Sequence, residues 1–411
     1  MASQLPLSDK HHVPGAAPLF GDPSVSTDRT FHAYVHVPFC RVRCGYCDFN
    51  TYTASELRGT SQVGFAALLQ REVELAKTEL ERQGFAPQRG ASSIFFGGGT
   101  PTQLPASDLA SILASLRDAF GLVEGCEVTT EANPDNVGYQ YLLELREAGF
   151  TRVSFGMQSA VPSVLATLER THQPENVPAG VAAAKRAGLQ NSVDLIYGAP
   201  GETLDEWRTS IEAAIALEPD HISAYSLIVE PGTKLARQIA KGELPEPDED
   251  LQADKYELAD QLLAEAGFGW YEVSNWSRSA ETRSTHNLAY WRSQDWWGFG
   301  PGAHSHIGET RFWNAKHPAT YQQALETGTP AVGSERIDSE IRRIEQLLLE
   351  ARIVDGIAVA DAKQANPEAT KVISHLIADK LIDAKQAIAG RIILTLQGRL
   401  LADYVVRELL G

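Results

Sequence analysis

Tyr34-Val-His-Val-Pro-Phe39, running into Cys40-Arg-Val-Arg-Cys44-Gly-Tyr-Cys47, is the stretch whose reading decides the fold. A short apolar run breaks at Pro38 into a loop that carries three of the chain's four cysteines, the shape of a strand that ends at a working rim. The same shape returns downstream. Further β-like runs begin near Ser93, Glu127, Arg152, Ser192 and His221, the first of the series beginning near Phe31. Between them lie helix-period segments such as 64–83, with Phe65, Leu68, Leu69, Val73, Leu75 and Leu80 on the apolar positions. Strands alternating with helices imply βαβ units around a parallel sheet. Six such units with crossovers of the usual hand predict an α/β fold built on a partial (β/α)6 barrel over 31–266.

Residues of unusual chemistry gather where these strands end. Gly97-Gly-Gly-Thr100 follows Ser93–Phe96, Glu131 and Asn133 follow Val128–Thr130, and Gln158-Ser159 follows Val153–Phe155. Asp194 lies within Ser192–Ile196, and Glu230 follows Ile222–Ile228. Parallel α/β folds bind ligands at the carboxyl ends of their strands, so one rim collects cysteines, glycines, carboxylates and amides.

The rest of the chain divides by composition. Residues 1–30 carry Pro6, Pro14, Pro18 and Pro23 without helical or strand period, and read as a flexible tail. The connecting region 267–334 holds six of the seven tryptophans beside His286, His304, His306 and His317. Such a segment is more often core than ligand site, although its surface would suit a planar macrocycle. The stretch 335–411 reads as a small helical module with a hairpin at 388–395, the outline of a winged helix.

Bulk numbers narrow the function. The 411 residues are 43% hydrophobic and 22% charged, an ordinary globular balance. A net charge of −17 repels a phosphate backbone, and the winged-helix stretch holds 11 basic against 12 acidic residues, so nucleic acid is excluded as the main partner. No run approaches the roughly 18 apolar residues of a membrane span, which leaves only peripheral membrane contact open. Without a secretory signal, the expected compartment is the cytoplasm, where clustered cysteines serve a metal or a reaction rather than disulfides.

Three thiolates within eight residues can hold one [4Fe–4S] cluster and leave its fourth iron open, since such a cluster takes four ligands. Structural zinc is the alternative, but it needs a fourth ligand, and the paired Cys or His knuckles that supply one are absent nearby. Cys126 stands alone and reads as a small buried hydrophobe. The glycine run removes side chains so that backbone N–H groups can approach a ligand, and Glu131 could pair with an ammonium. Arg170 by itself would be a surface cation.

Taken together, the cysteine loop and Phe96-Gly-Gly-Gly-Thr-Pro101 resemble the radical S-adenosylmethionine proteins, specifically the oxygen-independent coproporphyrinogen III oxidase-like family. The likeness continues through Glu131-Ala-Asn-Pro134, Ser154–Ser159, Asp194–Gly198 and Ile228–Pro231 and into the C-terminal module. In that family the cluster reduces bound S-adenosylmethionine to a 5′-deoxyadenosyl radical. The resemblance implies cluster ligation by Cys40, Cys44 and Cys47. It further implies contact with S-adenosylmethionine by Tyr34, Tyr46, Gly98, Gly99, Thr100, Glu131, Gln158, Arg170 and Asp194, and it assigns no catalytic residue. True coproporphyrinogen oxidases carry a fourth cysteine two residues after the third, where this chain has Phe49, and a longer N-terminal segment. Both departures are similar to the HemW-type heme chaperones, which pass heme to hemoproteins such as respiratory enzymes. His286-Asn-Leu-Ala-Tyr-Trp291 resembles their His-Asn-x-x-Tyr-Trp element and makes His286 the expected heme contact. The alternatives are coproporphyrinogen III decarboxylation or another radical reaction such as methyl transfer. Neither the heme acceptor nor the oligomeric state is legible.

Overall fold

A computed structural model of the chain describes residues 29–57, 60–82, 84 and 90–411, together with a two-residue strand at His11–His12. The tail expected over 1–30 therefore lies almost wholly outside the described residues.

Six strands, β1 (Phe31–Val37), β2 (Ala91–Gly98), β3 (Leu122–Ala132), β4 (Arg152–Gln158), β5 (Gln190–Tyr197) and β6 (His221–Ser226), run parallel and lie side by side in chain order. One face of these strands is apolar and fully covered, with Val35, Val37, Ile94, Phe96, Val128, Phe155, Val193 and Leu195 all at most 1% exposed. The alternate residues, among them His32, Ser93, Arg152, Ser192 and His221, are polar and buried inside. Helices form the crossovers. Helix Phe65–Arg82 buries Phe65, Leu69, Val73, Ala76 and Leu80 on one face, the stripe its 3.6-residue period requires. Helix Leu204–Ala216 starts where the Thr203 hydroxyl accepts from Glu206 N (3.2 Å) and the Glu206 carboxylate accepts from Thr203 N (2.8 Å). Such a cap stabilises by about 1 kcal/mol and fixes where the β5 loop ends.

The tryptophan-rich stretch extends this sheet at both edges. Beyond β6 lie β8 (Asn275–Ser277) and β7 (Gly269–Glu272), each antiparallel to its neighbour. On the far side of β1, β9 (Asp295–Phe299) joins in parallel, so the unbroken parallel block holds seven strands rather than six. Antiparallel β10 (His304–Ile307), β11 (Thr310–Asn314) and β12 (Ala331–Arg336) follow, and His11–His12 pairs with β12 to complete thirteen strands. The run Asp295-Trp-Trp-Gly-Phe299 lacks a strand's alternation. It is seated instead by a buried ion pair, with Arg29 Nη1 and Gly308 N both donating to Asp295 Oδ1 (2.8 and 2.9 Å).

A separate apolar cluster, including Leu347, Ile357, Ile373, Leu376, Val405 and Leu409, organises the C-terminal helices from Ser339–Glu350 to Ala402–Leu410. The hairpin expected at 388–395 does not form on its own. Arg391–Ile392 pairs with Ile357–Ala358, and Ile382 bridges Leu394. Gly356 permits the close pairing, since a Cβ there would meet Ile392 O at 2.0 Å. Polar contacts seat the module on the barrel: Arg399 forks onto Asp260 of helix Glu249–Glu265 (2.9 and 2.7 Å), and Val354 N donates to Tyr271 O of β7 (2.8 Å).

Candidate functional site

Past Val37 the chain leaves the sheet and its loop is pinned from several sides. Cys40 N donates to Tyr52 O (3.1 Å) and Tyr52 N to Pro38 O (2.7 Å), closing the base. Gly45 N donates to Leu168 O (3.3 Å), Leu235 N to Gly45 O (2.9 Å), and Cys47 N to Cys44 O (3.2 Å). His36 braces the loop from beneath, its Nε2 2.9 Å from Asn50 O and its Nδ1 2.9 Å from Tyr34 Oη. The loop is thus held before any ligand arrives.

Cys40, Cys44 and Cys47 line a cavity of about 160 Å³ at the carboxyl ends of β1–β5, shared with Tyr46, Gly98, Gly99, Thr100, Glu131, Gln158, Arg170 and Asp194. Burial, with the neighbouring thiols, pushes Cys40 up to about 11, and burial raises Cys47 as well. Iron would reverse that preference, because a metal cation favours the thiolate. Arg170 is no surface cation: its Nη2 donates to Gly156 O (2.8 Å) and its Nη1 lies 3.6 Å from Cys44 Sγ. Among the described residues, no three ligating side chains converge on a single ion. A cluster needs no such convergence, because each thiolate takes a different iron.

Two carboxylates face this cavity from inside. Burial and the nearby Asp194 raise Glu131 to about 8, while its Oε2 accepts from Gly98 N (3.1 Å). Burial raises Asp194 too, against the hydrogen bond from Ser154 Oγ (2.7 Å). A ligand carrying ammonium and sulfonium charge would offset that repulsion, so the donor set fits S-adenosylmethionine. Gln158 sits in left-handed backbone (φ 63°), a strain common at ligand sites.

The glycine run works differently from its sequence reading. The N–H groups of Gly98, Gly99 and Thr100 already donate within the protein, to Glu131, Val37 O and Phe39 O. The missing side chains serve close packing: a Cβ on Gly98 would lie 2.5 Å from the His36 ring, and one on Gly99 2.6 Å from Phe39 O. The run thereby fixes β2 against the cysteine loop.

Tyr34 and His286 do not reach this cavity. They form an aromatic stack with Phe95 in the barrel interior. His286 is 2% exposed, with Nδ1 2.7 Å from Ser93 Oγ and Nε2 3.0 Å from Tyr290 Oη. Both ring nitrogens are engaged, and burial lowers its pKa well below the usual imidazole value. Neither nitrogen is presented to a bound metal.

Sequence reading missed a second chamber of about 460 Å³, which shares Tyr46, Cys47, Glu131, Gln158 and Asp194 with the first and continues over Phe95, Ile196, Tyr225 and Ile228. Phe49, 64% exposed, borders both. Buried groups border the chamber. Arg152 pairs with Glu127 (3.2 Å), and His221 is held between Ser192 Oγ and Tyr271 Oη (2.8 Å each). Every second residue of β4–β6 points there, among them Arg152, Asp194 and His221, a period-of-two signal that was available in the sequence.

With this geometry in hand, the relatives are informative. The sequence profile of the radical SAM superfamily matches residues 34–214. The heme chaperone HemW of Mycobacterium tuberculosis is 46% identical over 402 residues, 97% of this chain and 98% of that protein. The heme chaperone HemW of Bacillus subtilis is 33% identical over 387 residues, 92% of this chain and 99% of that one. Among solved structures, the Escherichia coli radical SAM enzyme coproporphyrinogen III oxidase (HemN) superposes with a TM-score of 0.78 over 95% of this chain and 94% of that chain. At 23% identity, this last likeness bears on the fold alone.

Proposed function

From the premise that this chain belongs to the HemW family of radical SAM proteins, we propose that it is a heme chaperone. On this reading it binds heme and passes it to acceptor hemoproteins such as respiratory enzymes. It would hold a [4Fe–4S] cluster on Cys40, Cys44 and Cys47, with S-adenosylmethionine in the cavity beside them. The observation that carries the reading is the span of the likeness. Relatives named heme chaperones match 97% and 92% of the chain, so barrel, outer sheet edge and C-terminal module are shared together.

The rim supports the cofactor half. Bound there, the cluster would supply the electron that cleaves S-adenosylmethionine. The chain's own part is to hold: Arg170 Nη1 lies 3.6 Å from Cys44 Sγ, and Glu131 and Asp194 would receive the cationic head group. Phe49 stands where the resemblance puts a fourth cysteine in coproporphyrinogen oxidases, which argues against porphyrinogen decarboxylation.

Anaerobic reconstitution followed by parallel heme titration and incubation with coproporphyrinogen III and S-adenosylmethionine tests the proposal. Saturable heme binding without protoporphyrinogen formation is expected. Absence of heme binding, or catalytic formation of protoporphyrinogen IX, would overturn it.

A further inference from the structure

The outer edge of the sheet presents one face of unusual chemistry. Register places Trp296, His306, Arg311 and Glu335 in one cross-strand row, and His304, Trp313 and Gly333 in the next row on the same face. Gly333 has a steric reason: a Cβ there would lie 2.4 Å from the Trp313 indole, so only glycine lets that ring lie flat against the strand. His304 stacks over it with ring centroids 5.8 Å apart and planes 24° apart. Helix Ser339–Glu350 and Arg352 face this floor from the C-terminal module. Between the two lies a cleft of about 980 Å³, against about 160 Å³ at the cysteine rim.

Its lining asks for a particular ligand. Tyr290, Trp291, Trp296 and Trp313 supply aromatic wall, and Leu348 and Leu349 face them. The volume stands at the upper end of the roughly 300–1,000 Å³ of ordinary small-molecule sites, room for a large planar body. Arg311 is already matched by Glu345 (2.9 and 2.6 Å), and Arg352 by Asp403. Lys316 is exposed and has no carboxylate partner among the described residues, which leaves one cation for a ligand carboxylate. His304 differs from three histidines packed inside the barrel. His32, His221 and His286 each have both ring nitrogens hydrogen-bonded, whereas among the described residues neither nitrogen of His304 has a partner.

Resting on the chaperone reading, we propose that heme binds in this cleft, between β9–β11 and the C-terminal module, with His304 as the axial ligand of its iron. Imidazole is an ordinary heme ligand, and flat aromatic walls take the macrocycle's faces. His286 acts as a positioning residue: it holds Tyr290 Oη, and the Tyr290 ring meets Trp296 edge-on at 4.8 Å. The histidine and the aromatic pair of the His286–Trp291 element thus do different work, the first bracing the wall that the second forms.

The test titrates the anaerobically reconstituted full chain with hemin, reading affinity by absorbance and ligand identity by electron paramagnetic resonance. In His304→Ala the imidazole signature should vanish and affinity should fall about tenfold or more; added free imidazole should restore the signature in His304→Gly. Leu349→Trp should fill the cleft and exclude both hemin and iron-free protoporphyrin IX. His286→Asn should weaken binding while leaving the ligand signature intact. Wild-type protein that binds no hemin overturns the chaperone reading, and this site with it. Wild-type binding that neither His304→Ala nor Leu349→Trp disturbs overturns the site alone. An unchanged signature in His304→Ala overturns the ligand assignment.

Discussion

The cysteine rim and the outer cleft are two ways of building a site on one sheet. The rim takes one or two side chains from each successive strand end, packs them around about 160 Å³, and ties Glu131, Asp194 and Arg170 to the protein by hydrogen bonds. The outer cleft joins antiparallel strands to a module with its own core, encloses about 980 Å³, and leaves an imidazole and an ammonium unpaired among the described residues. A preformed, charged, narrow site suits a cofactor that stays. A wide aromatic cleft open to one side suits cargo that must leave, which is what the proposed chaperone needs.

The largest effect expected is at the rim. Cys44→Ala should abolish the cluster's iron content and visible absorbance, because two thiolates cannot hold three irons. Cys126→Ala should leave both unchanged, since Cys126 is buried outside the cavity. If the two regions are independent, hemin affinity in Cys44→Ala stays at the wild-type value. A parallel loss of hemin binding would break the comparison.

Glu72 joins the first crossover helix to the outer part of the sheet and gives the next effect. It lies on helix Phe65–Arg82 and accepts from Gly300 N (2.7 Å), from Asn314 Nδ2 (2.6 Å) and from Tyr321 Oη, all beyond β9. Burial raises its pKa from 4.5 to about 7 despite those three donors. The folded state therefore keeps a proton that the unfolded chain loses between pH 4.5 and 7, and stability falls as pH rises through that window. The shift corresponds to a decline on the order of 3 kcal/mol. Glu72→Gln cannot ionise and should flatten this part of the profile. Denaturant midpoints at pH 5 and pH 8 measure it, and parallel profiles for the two proteins would contradict the account.

How much of this was readable beforehand follows from the same contrast. Phe31, Arg152 and His221 begin strands as the alternation predicts, and the rim is legible because a loop and its cysteines are contiguous in sequence. Arg170 was legible only by resemblance; nothing local tells that its guanidinium turns inward to Cys44. The glycine run was placed correctly at the rim, yet its reason is His36 and Phe39 beneath it, a contact between two strand ends. The outer cleft was least legible. Asp295–Phe299 shows no period of two, and His304 meets Trp313 only through strand pairing, so its residue types announced aromatics without saying which faced solvent. His286 drew notice as part of a pattern, while burial settled both its nitrogens.

Within the rim, Glu131→Gln removes the carboxylate whose charged form a bound cation would favour, while keeping its shape. Loss of a hydrogen bond to a charged group costs about 1.5–3 kcal/mol, so affinity for S-adenosylmethionine should fall by roughly 10- to 100-fold. Equilibrium dialysis on the reconstituted protein reads this directly. Because Glu131 is buried between Gly98 and Asp194, the deficit should persist in high salt. An unchanged affinity would remove Glu131 from the binding site.

The smallest effect is at Lys316, and it separates the two sites most cleanly. Its ammonium is exposed at the edge of the outer cleft and has no carboxylate partner among the described residues. An exposed charge pair is worth little, so Lys316→Ala should lower hemin affinity only about two- to fivefold at low salt. Screening at 1 M salt shortens the Debye length to about 3 Å, and the difference from wild type should then disappear. The aromatic contacts and the His304 ligand are not screened, so most of the affinity should survive the same salt. Titrations of both proteins with hemin at low and high salt give the four affinities required. A Lys316→Ala deficit that persists in high salt would mean that the ammonium is desolvated by the bound ligand, and the outer cleft would then resemble the rim more closely than its open shape suggests.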